Sequence, residues 1–80
     1  MNKIREEVLS EARDEAIKQI ASLDIDIAVL EKTDPEKIVN REKLTEHSWR
    51  ETKQKDLLPK LIDRRDGIQL RLDEIEKLLG

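Results

Sequence analysis

Apolar residues in the first third of the chain recur every three or four positions. At about 100° per residue, Val8, Leu9, Ala12, Ala16, Ile20, Leu23, Ile27 and Leu30 fall on one side of a helix. This spacing predicts a long first helix over about residues 2–32. Up to Ala16 the apolar face is narrow and rich in alanine. Beyond it the face widens, with Ile17, Ala21, Ile25, Ala28 and Val29 on the other sides. A helix that is apolar most of the way round needs more than one neighbour. The C-terminal half of this helix is therefore expected at the centre of an assembly.

Thr33-Asp34-Pro35-Glu36 interrupts the pattern. Asp34 has the chemistry to cap a new helix, with Pro35 at a first position where its missing N–H costs nothing. Thr33 and Glu36 fit a capping box, and a residue before proline avoids the α region. The expected reading is a turn at 33–35 followed by a second helix over about 35–55. That segment is very polar from Asn40 onward, with Leu44 and Trp49 as its only large apolar groups. Ile38, Thr45 and Trp49 would share a thin stripe. Such a helix has to dock on something to stay folded.

From Leu57 the pattern is apolar again. Leu57, Leu58, Leu61, Ile68, Leu72, Ile75 and Leu79 share one face. A bend near 56–59, with Asp56 as cap and Pro59 in the first turn, would start a third helix over about 57–79. The alternative is a continuous helix kinked at Pro59. The expected fold class is all-α: a helical hairpin or small three-helix bundle with a long first helix, forming one domain over residues 1–80. A two-helix hairpin turning at Thr33 would face the richest part of the first helix with the poorest part of the second. Either the segment from Leu57 folds back, or another subunit supplies the missing apolar surface.

Composition sharpens this picture. Charged residues make up 44% of the 80 residues and aromatics 1%, with two Gly, two Pro and no Cys. Few turn-forming residues and many good helix formers argue for helix, with content above about 80% expected. A small chain without disulfides or a metal commonly gains stability by associating. A homo-oligomer, with a dimer favoured, is expected to pack as a helical bundle around Ile20, Leu23, Ile27, Leu61, Ile68, Leu72 and Ile75. A net charge of −3 argues against generic nucleic-acid or anionic-membrane binding. The apolar runs are too short for a membrane span and the first residues have no signal-peptide core, so a cytoplasmic location is the simplest expectation.

The candidate chemistry is sparse. His47 is the only histidine; with Glu51 four residues on, it would hold part of a metal site on a helix, but one histidine without cysteine is a poor ligand set. No metal or cofactor is expected. The acidic residues Asp24 and Asp26 point to different sides of a helix, and no phosphate loop or nucleophile motif is present, so no catalytic residues are assigned. Trp49, alone among polar neighbours, is either an anchor in the chain's own fold or a contact for a protein partner. Arg41, Lys43, Arg50, Lys53, Lys55, Lys60, Arg64 and Arg65 form a basic strip interspersed with acids. The bland reading is a solvated, salt-bridged face; the sharper one is a phosphate-contacting strip with Trp49 as a stacking group. Arg65 interrupts the last apolar stripe, either with a snorkelling stem or in an ion pair with Asp24 or Asp26. Lys60, Arg64 and Arg65 form a possible anion site at a subunit interface. The expected function is a non-catalytic helical interaction protein that oligomerises and binds a macromolecular partner as an adaptor, small chaperone or inhibitor. The alternatives are a nucleic-acid-associated regulator and a protein sequestering a small anionic ligand.

Overall fold

The computed structural model describes residues 2–80. Helix α1 runs over Asn2–Glu31 and helix α2 over Gln54–Leu79. Between them stand two antiparallel strands, β1 over Ile38–Thr45 and β2 over Ser48–Lys53. The all-α expectation is thus overturned: the chain is a mixed α+β fold, 71% helical, with a β-hairpin where a second helix was expected. α2 also begins upstream of the expected bend. It starts at Gln54, with Lys53 as its extended cap residue, and continues through Pro59 without interruption.

The reason lies in burial. A helix over 35–55 would have had almost no apolar face to pack, so nothing would have repaid its ordering. A two-stranded ribbon pairs its inward backbone groups across the ladder, leaves the outer ones to water, and needs no such face. Its residues are matched across the strands instead: Arg41 stands opposite Glu51, and Glu42 opposite Arg50. Opposite charges in direct cross-strand positions stabilise a ribbon by roughly 0.2–1 kcal/mol per pair.

The hairpin leaves and re-enters at the same end of the helices, so α2 runs back antiparallel along α1. Leu9 lies near Leu79 at one end, and Asp24 meets Arg65 toward the other. The seam buries Ala16, Leu23, Ile27, Leu30, Leu72 and Ile75, with Ile20, Leu61 and Ile68 half-buried. These include the residues from which an inter-subunit core was expected. They are spent between the two helices of one chain.

The neck joining the helices to the ribbon is closed by polar bonds. A helix leaves its last carbonyls and first N–H groups unpaired. Here the first residue of α2 reaches the end of α1, and the first N–H groups of α2 use the linker between α1 and β1. The Gln54 side chain, only 5% exposed, donates from Nε2 to Leu30 O at 2.6 Å. Thr33 Oγ1 donates to Val29 O at 2.8 Å. The backbone N–H groups of Gln54 and Lys55 donate to Lys37 O and Pro35 O at 2.9 and 3.1 Å. Asp34 caps no helix; its carboxylate accepts from the Glu36 N–H in a local turn.

Candidate interaction surface on the beta-hairpin

The ribbon projects beyond the helices, giving a molecule of 54 × 30 × 14 Å. Residues alternate across a strand. Arg41, Lys43, Trp49 and Glu51 share one face of the ribbon, while Glu42 and Arg50 share the other. Every residue from Asn40 to Glu51 is exposed, so neither face of the outer ribbon is covered by the helices.

Trp49 is the centre of the first face. The residue is 47% exposed, and Leu44 near the tip is exposed to nearly the same degree. The Arg41 guanidinium carbon lies 4.6 Å from the ring centroid and the Lys43 ammonium 5.8 Å. Cations at these distances are held by the negative face of the indole. Arg41 also reaches Glu51 at 3.6 Å, so one cation orders both the ring and the carboxylate beside it. On the opposite face Arg50 and Glu42 meet at 3.8 Å. The turn residues are Glu46 and His47, with the His47 N–H directed at Thr45 Oγ1 at 3.4 Å. No described residue has a positive φ, so the turn is not one of the mirror-image types that match strand twist. The ladder takes a register shift between Lys43 and Thr45 beside it.

At the base of the ribbon, Glu36 accepts from Lys53 at 2.8 Å and from Lys55 at 2.7 Å. Hydrogen bonds from these two ammonium groups, and then their charge, lower its pKa from the usual 4.5 to about 2. Lys55 is raised in turn, chiefly by the same hydrogen bond. An open cleft of about 320 Å³ is lined by Asp26, Val29, Leu30, Val39, Leu57 and Leu61.

The other residues singled out from sequence are dispersed. His47 sits at the ribbon tip and Glu51 on β2, where the pair no longer has helical spacing; among the described residues no three potential metal ligands cluster. Arg65 makes its ion pair with Asp24 at 3.3 Å within the chain and a second contact with Asp66 at 3.4 Å. Its pKa is raised, first by the hydrogen bond to Asp24. Helical spacing puts Lys60 and Arg64 on the opposite edge of the seam from Arg65. Arg64 lines a shallow cleft shared with Asp26, a carboxylate that repels an anion. The three basic groups do not converge. The basic strip is likewise divided: Lys55, Lys60, Arg64 and Arg65 belong to α2, and three of the ribbon's cations are tied to carboxylates.

The ribbon itself was missed from sequence, yet its signal was there. Around Glu46-His47 the chain reads Arg41-Glu42-Lys43 on one side and Trp49-Arg50-Glu51 on the other. Folded evenly about that centre, Glu42 would meet Glu51 and Lys43 would meet Arg50; with the one-residue register shift beside the turn, Arg41 meets Glu51 and Glu42 meets Arg50, so that the charges pair with opposite sign. Comparison with protein-family models, curated proteins and solved structures finds no match. No helix among the described residues is long and apolar enough to cross a membrane.

Proposed function

We propose that this chain is a non-catalytic interaction protein in which the paired helices form a stem and the β-ribbon is the arm that docks on a protein partner, with Trp49 as its anchor. The observation that carries this reading is the position of Trp49. The chain's only aromatic side chain is half exposed on a ribbon that the helices do not cover. Tryptophan is strongly enriched among residues that dominate binding energy. Arg41 already orders the ring, so less conformational freedom is lost on docking. Both outer edges of the two-stranded sheet are free to add a strand from the partner. Self-association of the stem and a cytoplasmic setting belong to the same reading.

The test compares the wild-type chain with Trp49→Ala as baits in the source cell, with helix content monitored by circular dichroism. The anchor should account for about 2 kcal/mol or more of binding, so a partner held by the wild type should be lost from the variant. Equal retention of the same partners by a folded Trp49→Ala chain would overturn the proposal.

A nucleic-acid reading keeps one specific observation, the pair of cations over the indole face. Against it, Arg41 already covers the ring that a base would stack on, and carboxylates neutralise most of the neighbouring cations. A salt titration separates the two readings. Phosphate contacts steepen the logarithmic salt dependence by roughly 0.9 each on duplex DNA.

A further inference from the structure

We infer that the partner engages the outer edge of β2, over residues 48–52, as an extended segment added as a third, antiparallel strand with an apolar side chain beside Trp49. This deepens the docking reading above and rests on it.

The two edges of the ribbon are not equivalent. Each presents a row of N–H and C=O groups with no strand beside it. Along β1 that row is interrupted twice. β1 advances two residues where β2 advances one, from Ile38 to Asn40 and again from Lys43 to Thr45. Val39 and Leu44 are therefore the extra residues of two bulges, and both stand on β1. A bulge bends its own strand and disturbs the repeat of outward groups, a common means of blunting an edge. Only the stretch from Asn40 to Lys43 lies between the two. β2 carries no extra residue from Ser48 to Lys53 and keeps a regular repeat along its length. Residues 48–51 are exposed, and Trp49 stands on this strand.

An edge of this kind recognises an extended backbone, because only a strand repeats its donors and acceptors at the same spacing. Side chains then set which segment fits. Across the ribbon the charges alternate: Glu42 meets Arg50 at 3.8 Å and Arg41 meets Glu51 at 3.6 Å. All four remain exposed, so Arg50 and Glu51 are each open to a second neighbour on the outer side. A segment antiparallel to β2 therefore reads, from its N-terminus, a base beside Glu51, an acid beside Arg50 and an apolar residue beside Trp49. β1 itself follows the first two steps of this order with Arg41 and Glu42 on the inner side. Cross-strand pairs of opposite charge, and of an aromatic with a β-branched residue, are the stabilising ones.

A second copy of β2 fits this edge poorly. Two-fold antiparallel pairing sets one residue opposite itself. Centred on Arg50 or Glu51, in the middle of β2, it places like charges directly opposite each other, which is destabilising. The added strand therefore belongs to a different protein.

The test titrates the capped peptide acetyl-Val-Thr-Arg-Glu-Ile-Thr-amide into the isotope-labelled full chain, followed by NMR. Amide shifts and slowed hydrogen exchange should concentrate on residues 48–52, with a shift of the Trp49 indole N–H. Exchanging Arg and Glu in the peptide sets like charges beside Arg50 and Glu51 and should weaken binding on the order of tenfold. The peptide amides form two alternating sets. N-methylation of the set that faces β2 should abolish binding, and N-methylation of the other should spare it. Changes confined to β1, binding that survives both methylated forms, or no binding at millimolar peptide would each overturn the assignment to β2. So would exchange slowed along β2 by raising the chain concentration alone, which would put a second copy on the edge. The docking reading is judged separately, by capture of a partner on wild type against Trp49→Ala.

Discussion

The side-chain amide of Gln54, the first residue of α2, donates to the carbonyl of Leu30, near the end of α1, at 2.6 Å. A residue from the far side of the ribbon thus closes the helix that precedes it, across 24 positions of sequence. Gln54→Leu should remove one of two hydrogen bonds to that carbonyl, which keeps the Thr33 N–H at 3.0 Å, at a cost on the order of 1 kcal/mol. A domain of this size loses roughly 4–8 °C of melting temperature per kcal/mol. A thermal melt that is unchanged within about 2 °C would show that the neck does not depend on this bond.

Glu36 should make the neck sensitive to acid. Its folded pKa is depressed to about 2, so the stabilisation it receives from Lys53 and Lys55 is fully present above its usual value of 4.5. It is lost as the pH falls from that value through the folded one. A carboxyl-carbon NMR titration should give a midpoint near the depressed value. The gap in melting temperature between wild type and Glu36→Gln should narrow across the same window. A midpoint at the ordinary value would show that the clasp is not formed in solution.

Burial separates positions that look alike in sequence. Ile27 is 3% exposed in the seam, whereas Leu70 on α2 is 69% exposed. Ile27→Ala should cost about 2–5 kcal/mol, as buried aliphatic truncations do. Leu70→Ala should lie within about 0.5 kcal/mol of wild type. Denaturant titration of both variants measures the contrast, and equal losses would contradict the packing of α2 on α1.

The ribbon should be the least stable part of the fold. A two-stranded hairpin with both faces in water is marginal by itself. In native-state hydrogen exchange, amides of β1 and β2 beyond the neck should exchange well before those around Leu23, Ile27 and Leu72. Arg41→Ala should accelerate the ribbon further and alter Trp49 fluorescence, since Arg41 touches both the ring and Glu51. Helix amides should be unaffected. Uniform protection throughout the chain would mean that the ribbon and stem open together.

Much of the helical stem was legible from spacing. Leu9, Ala16, Leu23, Ile27 and Leu30 announce one apolar line, and Leu61, Ile68, Leu72 and Ile75 another, because residues at intervals of three and four gather on one side of a helix; that the two lines meet within one chain was not legible. The interruption at Thr33–Pro35 was equally plain. The ribbon was not read, for a local reason. Arg, Glu and Lys are good helix formers, so the segment around Trp49 carries helical propensity whatever it becomes. Its strand pairing depends on residues ten apart, such as Arg41 and Glu51, which no window of helical length compares. The exposure of Trp49 follows from the ribbon and was open in sequence between fold anchor and partner contact.

By itself, then, the sequence determined two amphipathic helices, the point where the first must stop, and a polar stretch between them that, read as a helix, would have to dock on something to stay folded. Only the tertiary structure decided what that stretch does. A helix over 35–55 would have carried the chain away from its starting point and laid polar residues against the apolar end of α1. A ribbon turning at Glu46-His47 returns the chain to the neck, where Gln54 can reach Leu30 and the apolar line of α2 can run the length of α1. The choice is made by non-local burial: pairing two full-length apolar stripes outweighs the weak local preference of sixteen polar-rich residues for helix.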